Sequence, residues 1–192
     1  MKKSKIFFVS ILLFQLSARA EPSATVTQKF NSDAPPELLH WDKIIGQWRT
    51  SEEGLKPDGS GWQSSKGADW NFYWALDGWA IRDEYFSPPL SEAVDTPEKR
   101  QMGTNIRVYN KDKKQWLMGW ITKQAKTVDI YTATSNDKSI VMLSDGKLPS
   151  GKHARITFFD ITKNSFEWKL EWSDDGQKNW LEVYRIHGKK VD

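Results

Sequence analysis

The side chains able to do chemistry are few and scattered along the chain. His40, His153 and His187 are the only imidazoles in 192 residues, and none falls at the His-x-x-His or His-Glu-x-x-His spacing that brings metal ligands together. With no cysteine, thiolate nucleophiles, thiolate metal sites and disulfides are excluded. A serine nucleophile needs a sharp turn that holds its hydroxyl beside a base, yet Gly-x-Ser-x-Gly is missing and Gly59-Ser60-Gly61 has the wrong spacing. Asp83 and Glu84 are chain neighbours; on a strand they face opposite ways and cannot flank one bond. No protein metal site is expected.

Charged residues inside apolar runs are more informative. Arg82 and Glu84 share one face of a strand pattern with Ala80 and Phe86, Arg107 shares one with Tyr109, and Arg155 shares one with Thr157. An inward face would oblige its charge to find a partner or trapped water, because an isolated buried ion is costly. A ligand carboxylate could be that partner. Arg82, Glu84, Arg107 and Tyr109 are therefore candidate ligand contacts, and Glu84 or Tyr109 is the candidate proton donor or acceptor if the chain is an enzyme.

The elements that carry these residues read as strands. Short segments at residues 47–51, 62–65, 70–75, 79–86, 104–109, 115–122, 128–134, 139–143, 153–160, 165–172 and 179–187 are separated by turn residues, with Asp77-Gly78 the clearest hairpin signal. Pro35-Pro36-Glu37 opens a short helical turn whose apolar face is Leu38, Leu39, Trp41, Ile44 and Ile45. Residues 87–102, with Pro88, Pro89 and Pro97, form the longest loop, a candidate flap over one end.

Aromatic residues dominate the inner faces this pattern implies. Eleven tryptophans are present. Phe166, Trp168, Leu170 and Trp172 alternate with Glu167, Lys169 and Glu171, and Trp116, Met118 and Trp120 alternate in the same way. Each indole buries about 150–250 Å² and asks for an N–H partner, so the set exceeds what a filled core absorbs. Trp74, Trp120 and Trp168 are expected to line a cavity.

At the N-terminus, Lys2, Lys3 and Lys5 precede an apolar run over residues 6–16 and then Ala18-Arg19-Ala20. This is the pattern of a signal peptide, residues 1–20, cleaved near Ala20. Its apolar run is too short to span a bilayer, so no integral membrane segment is expected after processing. Residues 21–34 read as a flexible leader and 35–192 as one domain. Lys2, Lys3, Lys5 and Arg19 leave with the first segment, taking the formal net charge from +3 to −1, which argues against a nucleic-acid partner. A periplasmic or secreted protein is expected.

Gly46-Gln47-Trp48 after the helical turn resembles the Gly-x-Trp opening of the lipocalins and wider calycins. In that superfamily a last-strand arginine packs across the tryptophan and closes the barrel base; Arg185 stands where that residue would be. The span from about Leu38 to His187 also looks like a bacterial calycin/lipocalin-like domain family of unknown function, through Trp74-Ala75-Leu76-Asp77-Gly78, Arg107-Val108-Tyr109 and Trp172-Ser173-Asp174-Asp175-Gly176. Residues 173–180 resemble the Asp-box hairpin of sialidase-type propellers, with Asp175 tying the turn; one copy cannot build a propeller. The resemblance implies an all-β antiparallel meander closing into a calycin-like barrel of about 8–10 strands, pinned by Trp48 and Arg185. A haem-binding branch of the calycins uses one axial histidine, which makes His153 a candidate by analogy of fold. The functional expectation is a barrel binding a small apolar or amphipathic molecule in a Trp-lined cavity. The alternatives are a calycin-type isomerase or hydratase acting on an apolar substrate, and a ligand-free interaction module.

Overall fold

The structure, a computed structural model, describes residues 29–136 and 138–191. The segment expected to be a signal peptide, its expected cleavage point near Ala20 and most of the expected leader lie outside the described residues. The strands are β1 (Gly46–Leu55), β2 (Trp62–Ser64), β3 (Asp69–Ala75), β4 (Ala80–Ser87), β5 (Gln101–Asn110), β6 (Gln115–Thr122), β7 (Asp129–Ser135), β8 (Ser139–Ser144), β9 (His153–Phe159), β10 (Ser165–Ser173) and β11 (Leu181–Lys190). From β3 to β11 each strand pairs antiparallel with the next. β11 then pairs with β1 over seven residues, from Trp48 opposite Lys190 to Gly54 opposite Tyr184.

That ladder closes a ten-strand, calycin-like barrel and removes the open edges a meander would otherwise leave. β2 is the extra strand. It meets β1 at residues 53–55, beyond the stretch at 46–49 that β3 occupies, and β11 holds the other edge. β2 therefore extends the line of β3 past a break at residues 65–68.

Period-two burial is clean where the sequence alternates. In β3, β8 and β9 every second residue is buried, so Trp70, Phe72 and Trp74, then Ile140 and Met142, then Ala154, Ile156 and Phe158 face inward. The 3₁₀ segment Pro36–Ile44 plugs one end, with Leu38, Trp41 and Ile44 fully buried. Trp41 meets Trp116 and Phe158 edge-on, at ring-centre distances of 5.9 and 5.5 Å.

The tryptophan of the Gly-x-Trp opening is fully buried, but its cationic partner is not the expected one. Trp48 donates its indole N–H to the Ile44 carbonyl at 2.6 Å and packs on Phe166. The Lys190 ammonium lies 5.3 Å from its ring centre and donates to the Ile45 carbonyl at 2.9 Å. Arg185 instead faces outward, 3.9 Å over the Trp62 ring and 2.9 Å from Glu53. The reason is parity: the β1–β11 register puts Arg185 opposite Glu53, one residue off the inward row of Thr50, Glu52, Tyr184 and Ile186.

Two further expectations change. Residues 29–34, assigned to a flexible leader, are seated on the barrel: Phe30 packs on Trp74 at 5.7 Å, Ala34 is buried, and the Asn31 amide reaches the Asp77 carbonyl at 3.1 Å. A side chain at Gly78, whose φ is +80°, would strike the Lys29 carbonyl at 2.2 Å. Residues 90–92 of the proline-rich loop do not reach over the barrel mouth. Their anchors, Leu90 to Asp69, Glu92 to Lys66 and Ser91 to Arg49, lie against the outside of the wall. The final hairpin forms as expected, Asp175 accepting the Lys178 and Asn179 amides, the Ser173 hydroxyl and the Asn179 side chain.

Those bonds, led by the Asn179 amide, depress the Asp175 pKa to about 2. A depressed carboxylate stabilises the fold above its unfolded pKa of about 3.9 and loses that contribution as pH falls through 2. In Asp175→Asn the acid limb of the stability profile should flatten across that window, as read by urea midpoints against pH. Trp48→Ala should cost about 3–5 kcal/mol, whereas exposed Arg185→Ala should stay within about 1 kcal/mol. Urea unfolding of the two variants checks which residue secures the barrel base.

Candidate functional site

The barrel interior splits into a packed half and an open half. Around the 3₁₀ plug, Trp41, Trp48, Phe72, Trp116, Phe158 and Phe166 fill the space. Toward the other end lies a cavity of about 480 Å³, within the range of small-molecule sites. Gln101, Asp129 and residues 148–150 border its rim. They belong to the start of β5, the start of β7 and the β8–β9 connection, all opposite the plug.

Indoles form much of its wall: Trp70, Trp120, Trp168 and Trp172, joined by Tyr85 and Tyr184. Gly103 permits this arrangement, since a Cβ there would lie 2.2 Å from the Trp120 ring. Trp70 is the hub, in contact with Tyr85, Phe158 and Trp168 at 5.7, 5.5 and 6.1 Å.

Two polar clusters interrupt the aromatic lining. At the cavity floor, the buried Arg107 is ion-paired with the buried Asp83 and lies 4.4 Å beneath the Trp41 ring. Asp83 also accepts the Trp70 indole N–H at 3.0 Å. Burial pushes the Asp83 carboxyl above its ordinary range and the Arg107 guanidinium below its own, and each charge opposes the other's shift. Arg107 Nε and Asn105 Oδ1 have no hydrogen-bond partner among the described residues, and both residues line the cavity. A buried polar atom left unpaired is expensive, and in native proteins such an atom marks a site that a water or ligand completes.

The second cluster surrounds Glu52, only 2 % exposed. Its carboxylate accepts the hydroxyls of Thr50 at 2.6 Å, Ser65 at 3.2 Å, Tyr85 at 2.9 Å and Tyr184 at 2.7 Å. Burial, then proximity to Glu52, pushes the Tyr184 phenol up to about 12, and the same two causes raise Tyr85 further. Both phenols thus keep their protons at neutral pH and donate them to Glu52.

The sequence-derived candidates divide three ways. Arg107, Trp120 and Trp168 line the cavity. Trp74 and Tyr109 face inward at the plugged end, Trp74 against Phe30 and Tyr109 against Trp116. Arg82 and Glu84 are on the outer surface, paired with each other at 3.4 Å, with Arg82 over Tyr73; the inward residue of that strand is Asp83, because the inner row is Ile81, Asp83, Tyr85. Neither Glu84 nor Tyr109 reaches the cavity as an acid or base. His153 also points outward, beside Gln177 at 3.3 Å; none of the three histidines lines the cavity. Among the described residues no group of three His, Asp or Glu side chains is placed to hold a metal ion. Glu52, Asp83 and Asn105 were missed. Their signal was a polar residue at the inward parity of an aromatic strand, legible only once Trp48, Trp70 and Trp120 are known to face inward.

A closed antiparallel barrel with a short helical segment at its base is a calycin-like fold. Among solved structures, the chain is similar to an S-type phycobiliprotein lyase, CpeS, from Guillardia theta, with TM-score 0.51, 10% identity and coverage of 79% of this chain and 90% of that one. It is also similar to Rv2717c from M. tuberculosis, with TM-score 0.55, 12% identity and coverage of 83% and 100%. These likenesses bear on the fold. No protein-family model matches the chain, and no curated protein matches it in sequence. Among the described residues no helix is long and apolar enough to cross a membrane.

Removing one partner of the buried ion pair strands the other's charge. Asp83→Asn and Arg107→Met should each cost about 3–5 kcal/mol, and the double variant should cost clearly less than their sum. Equilibrium denaturation of the three variants measures the coupling.

Proposed function

We propose that this protein binds a small amphipathic molecule inside its barrel, the apolar body lying against Trp70, Trp120 and Trp168. The observation that carries the reading is the aromatic cavity of about 480 Å³, with the polar residues Asn105 and Arg107 on its lining. Because Asp83 already neutralises Arg107, this end of the cavity suits an uncharged group, and an anionic head is not required. The similarity to a phycobiliprotein lyase, CpeS, supports the choice of a barrel-bound small molecule and does not name one.

The opening of the sequence supports export. Its basic stretch, apolar run and Ala-x-Ala motif point to cleavage after Ala20, so binding is proposed to occur in the periplasm or outside the cell.

N-phenyl-1-naphthylamine, a neutral probe that brightens in apolar surroundings, should bind with a saturating one-site isotherm. Trp120→Ala should weaken it by about tenfold, a loss of about 1.4 kcal/mol, and Ile156→Trp, which adds bulk to the cavity wall, should abolish it. Unchanged binding in both variants, with their folds intact by circular dichroism, would place the probe elsewhere and overturn the reading.

A further inference from the structure

The charges around the cavity do not cancel. Asp83 and Arg107 neutralise each other. Glu52 makes no ion pair among the described residues: its contacts are the hydroxyls of Thr50, Ser65, Tyr85 and Tyr184. Asp129, half-buried at the rim, makes no ion pair among the described residues either. The nearby Lys152 ammonium rests on the Trp172 ring at 5.0 Å and is in ion-pair contact with neither carboxylate. Around the aromatic lining three carboxylates, Glu52, Asp83 and Asp129, thus stand against two cations, Arg107 and Lys152, with Glu52 set behind the lining residues Tyr85 and Tyr184.

The sign matters because the walls have the same preference. The faces of Trp70, Trp120, Trp168, Tyr85 and Tyr184 present negative π density, which attracts a cation strongly when water is excluded. Tyr85 and Tyr184 sharpen this. Their protons are committed to Glu52 at 2.9 and 2.7 Å, so the remaining lone pairs on both oxygens are acceptors, backed by a carboxylate behind them. A carboxylate with four hydroxyl donors has its acceptor sites filled. What it lacks is a cation in contact, and the two phenols that hold it, Tyr85 and Tyr184, are the residues that connect it to the cavity.

We propose, building on the reading of the barrel as a small-molecule binder, that its ligand is an organic cation: a protonated amine or quaternary ammonium on an apolar body. The charge sits against the Tyr85 and Tyr184 oxygens and is balanced by Glu52, while Trp70 and Trp168 flank the attached carbon groups. Asp129 at the rim favours entry of the same charge sign.

A shape-matched series tests this in the full chain. Benzyltrimethylammonium, its carbon isostere neopentylbenzene and the anion phenylmethanesulfonate are titrated while tryptophan fluorescence is followed. Benzyltrimethylammonium should saturate at a Kd about tenfold or more below that of either other probe. Glu52→Gln and Tyr184→Phe should each erase most of that preference and leave the isostere's affinity unchanged. Equal or tighter binding of neopentylbenzene or the sulfonate by the wild-type protein overturns the charge assignment and leaves the binding cavity standing. No saturable response to any of the three overturns both. The comparison of probes on the wild-type protein decides the matter even if Glu52→Gln does not fold.

Discussion

The seven-residue ladder between β1 and β11 sets the inward row of the seam and thereby what the cavity contains. Once Trp48 faces Lys190 across this seam, Thr50 and Glu52 must face inward with it, and Tyr184, Ile186 and Gly188 must face inward from the other side. A slip of β1 by one residue against β11 would turn its row over, carrying Glu52 out to solvent and Glu53 into the core. The same register gives Tyr184 its reach to Glu52 and leaves Arg185 to stack on Trp62 outside. Polar chemistry inside the barrel is thus a consequence of how its first and last strands meet.

The interior combines strong hydrophobic burial with features that weaken it. Trp41, Trp48 and Trp116 are fully buried around the plug, and each edge-to-face pair adds about 0.5–1.5 kcal/mol beyond its area. Against this stand, among the described residues, a buried ion pair, a buried carboxylate held by hydroxyls, and indole, amide and guanidinium atoms without hydrogen-bond partners. Apolar side chains at residues 52, 83, 105 and 107 would make a more stable barrel. Unsatisfied polarity set within a well-packed interior is the arrangement expected where a site is maintained at the expense of the fold.

Much of the fold was legible in the sequence. Alternation on residues 116–120 and 166–172, the Asp-Gly turn at residues 77–78 and the proline-led segment before Gly46 give a meander preceded by a short helical turn, and the structure has both; that the turn plugs the barrel was not read from the sequence. What failed was parity on mixed strands. Residues 80–86 alternate Ala, Ile, Arg, Asp, Glu, Tyr, Phe, so either row contains charge, and hydropathy alone favours neither. The inner row is settled by neighbours far away in sequence: Trp70 donating to Asp83, and Arg107 crossing from β5 to pair with it. The Arg185 expectation failed similarly, since a basic residue near the C-terminal end could be Arg185 or Lys190, and only the register chooses. Glu52 and Asn105 attracted no notice because a lone polar residue in a short strand ordinarily faces water.

The 3₁₀ plug comes from chain that precedes β1, and the wall it seals includes β6, β7 and β9, through Trp116, Ser135 and Phe158. Trp41 therefore has no home until residues more than seventy positions later have been laid into the sheet. Loop-closure entropy must be met before such distant contacts return anything. Assembly of this molecule is consequently late and concerted: an emerging chain carries its stickiest indoles exposed, and a partner that holds it extended until the wall is complete would favour the native barrel over association through those rings.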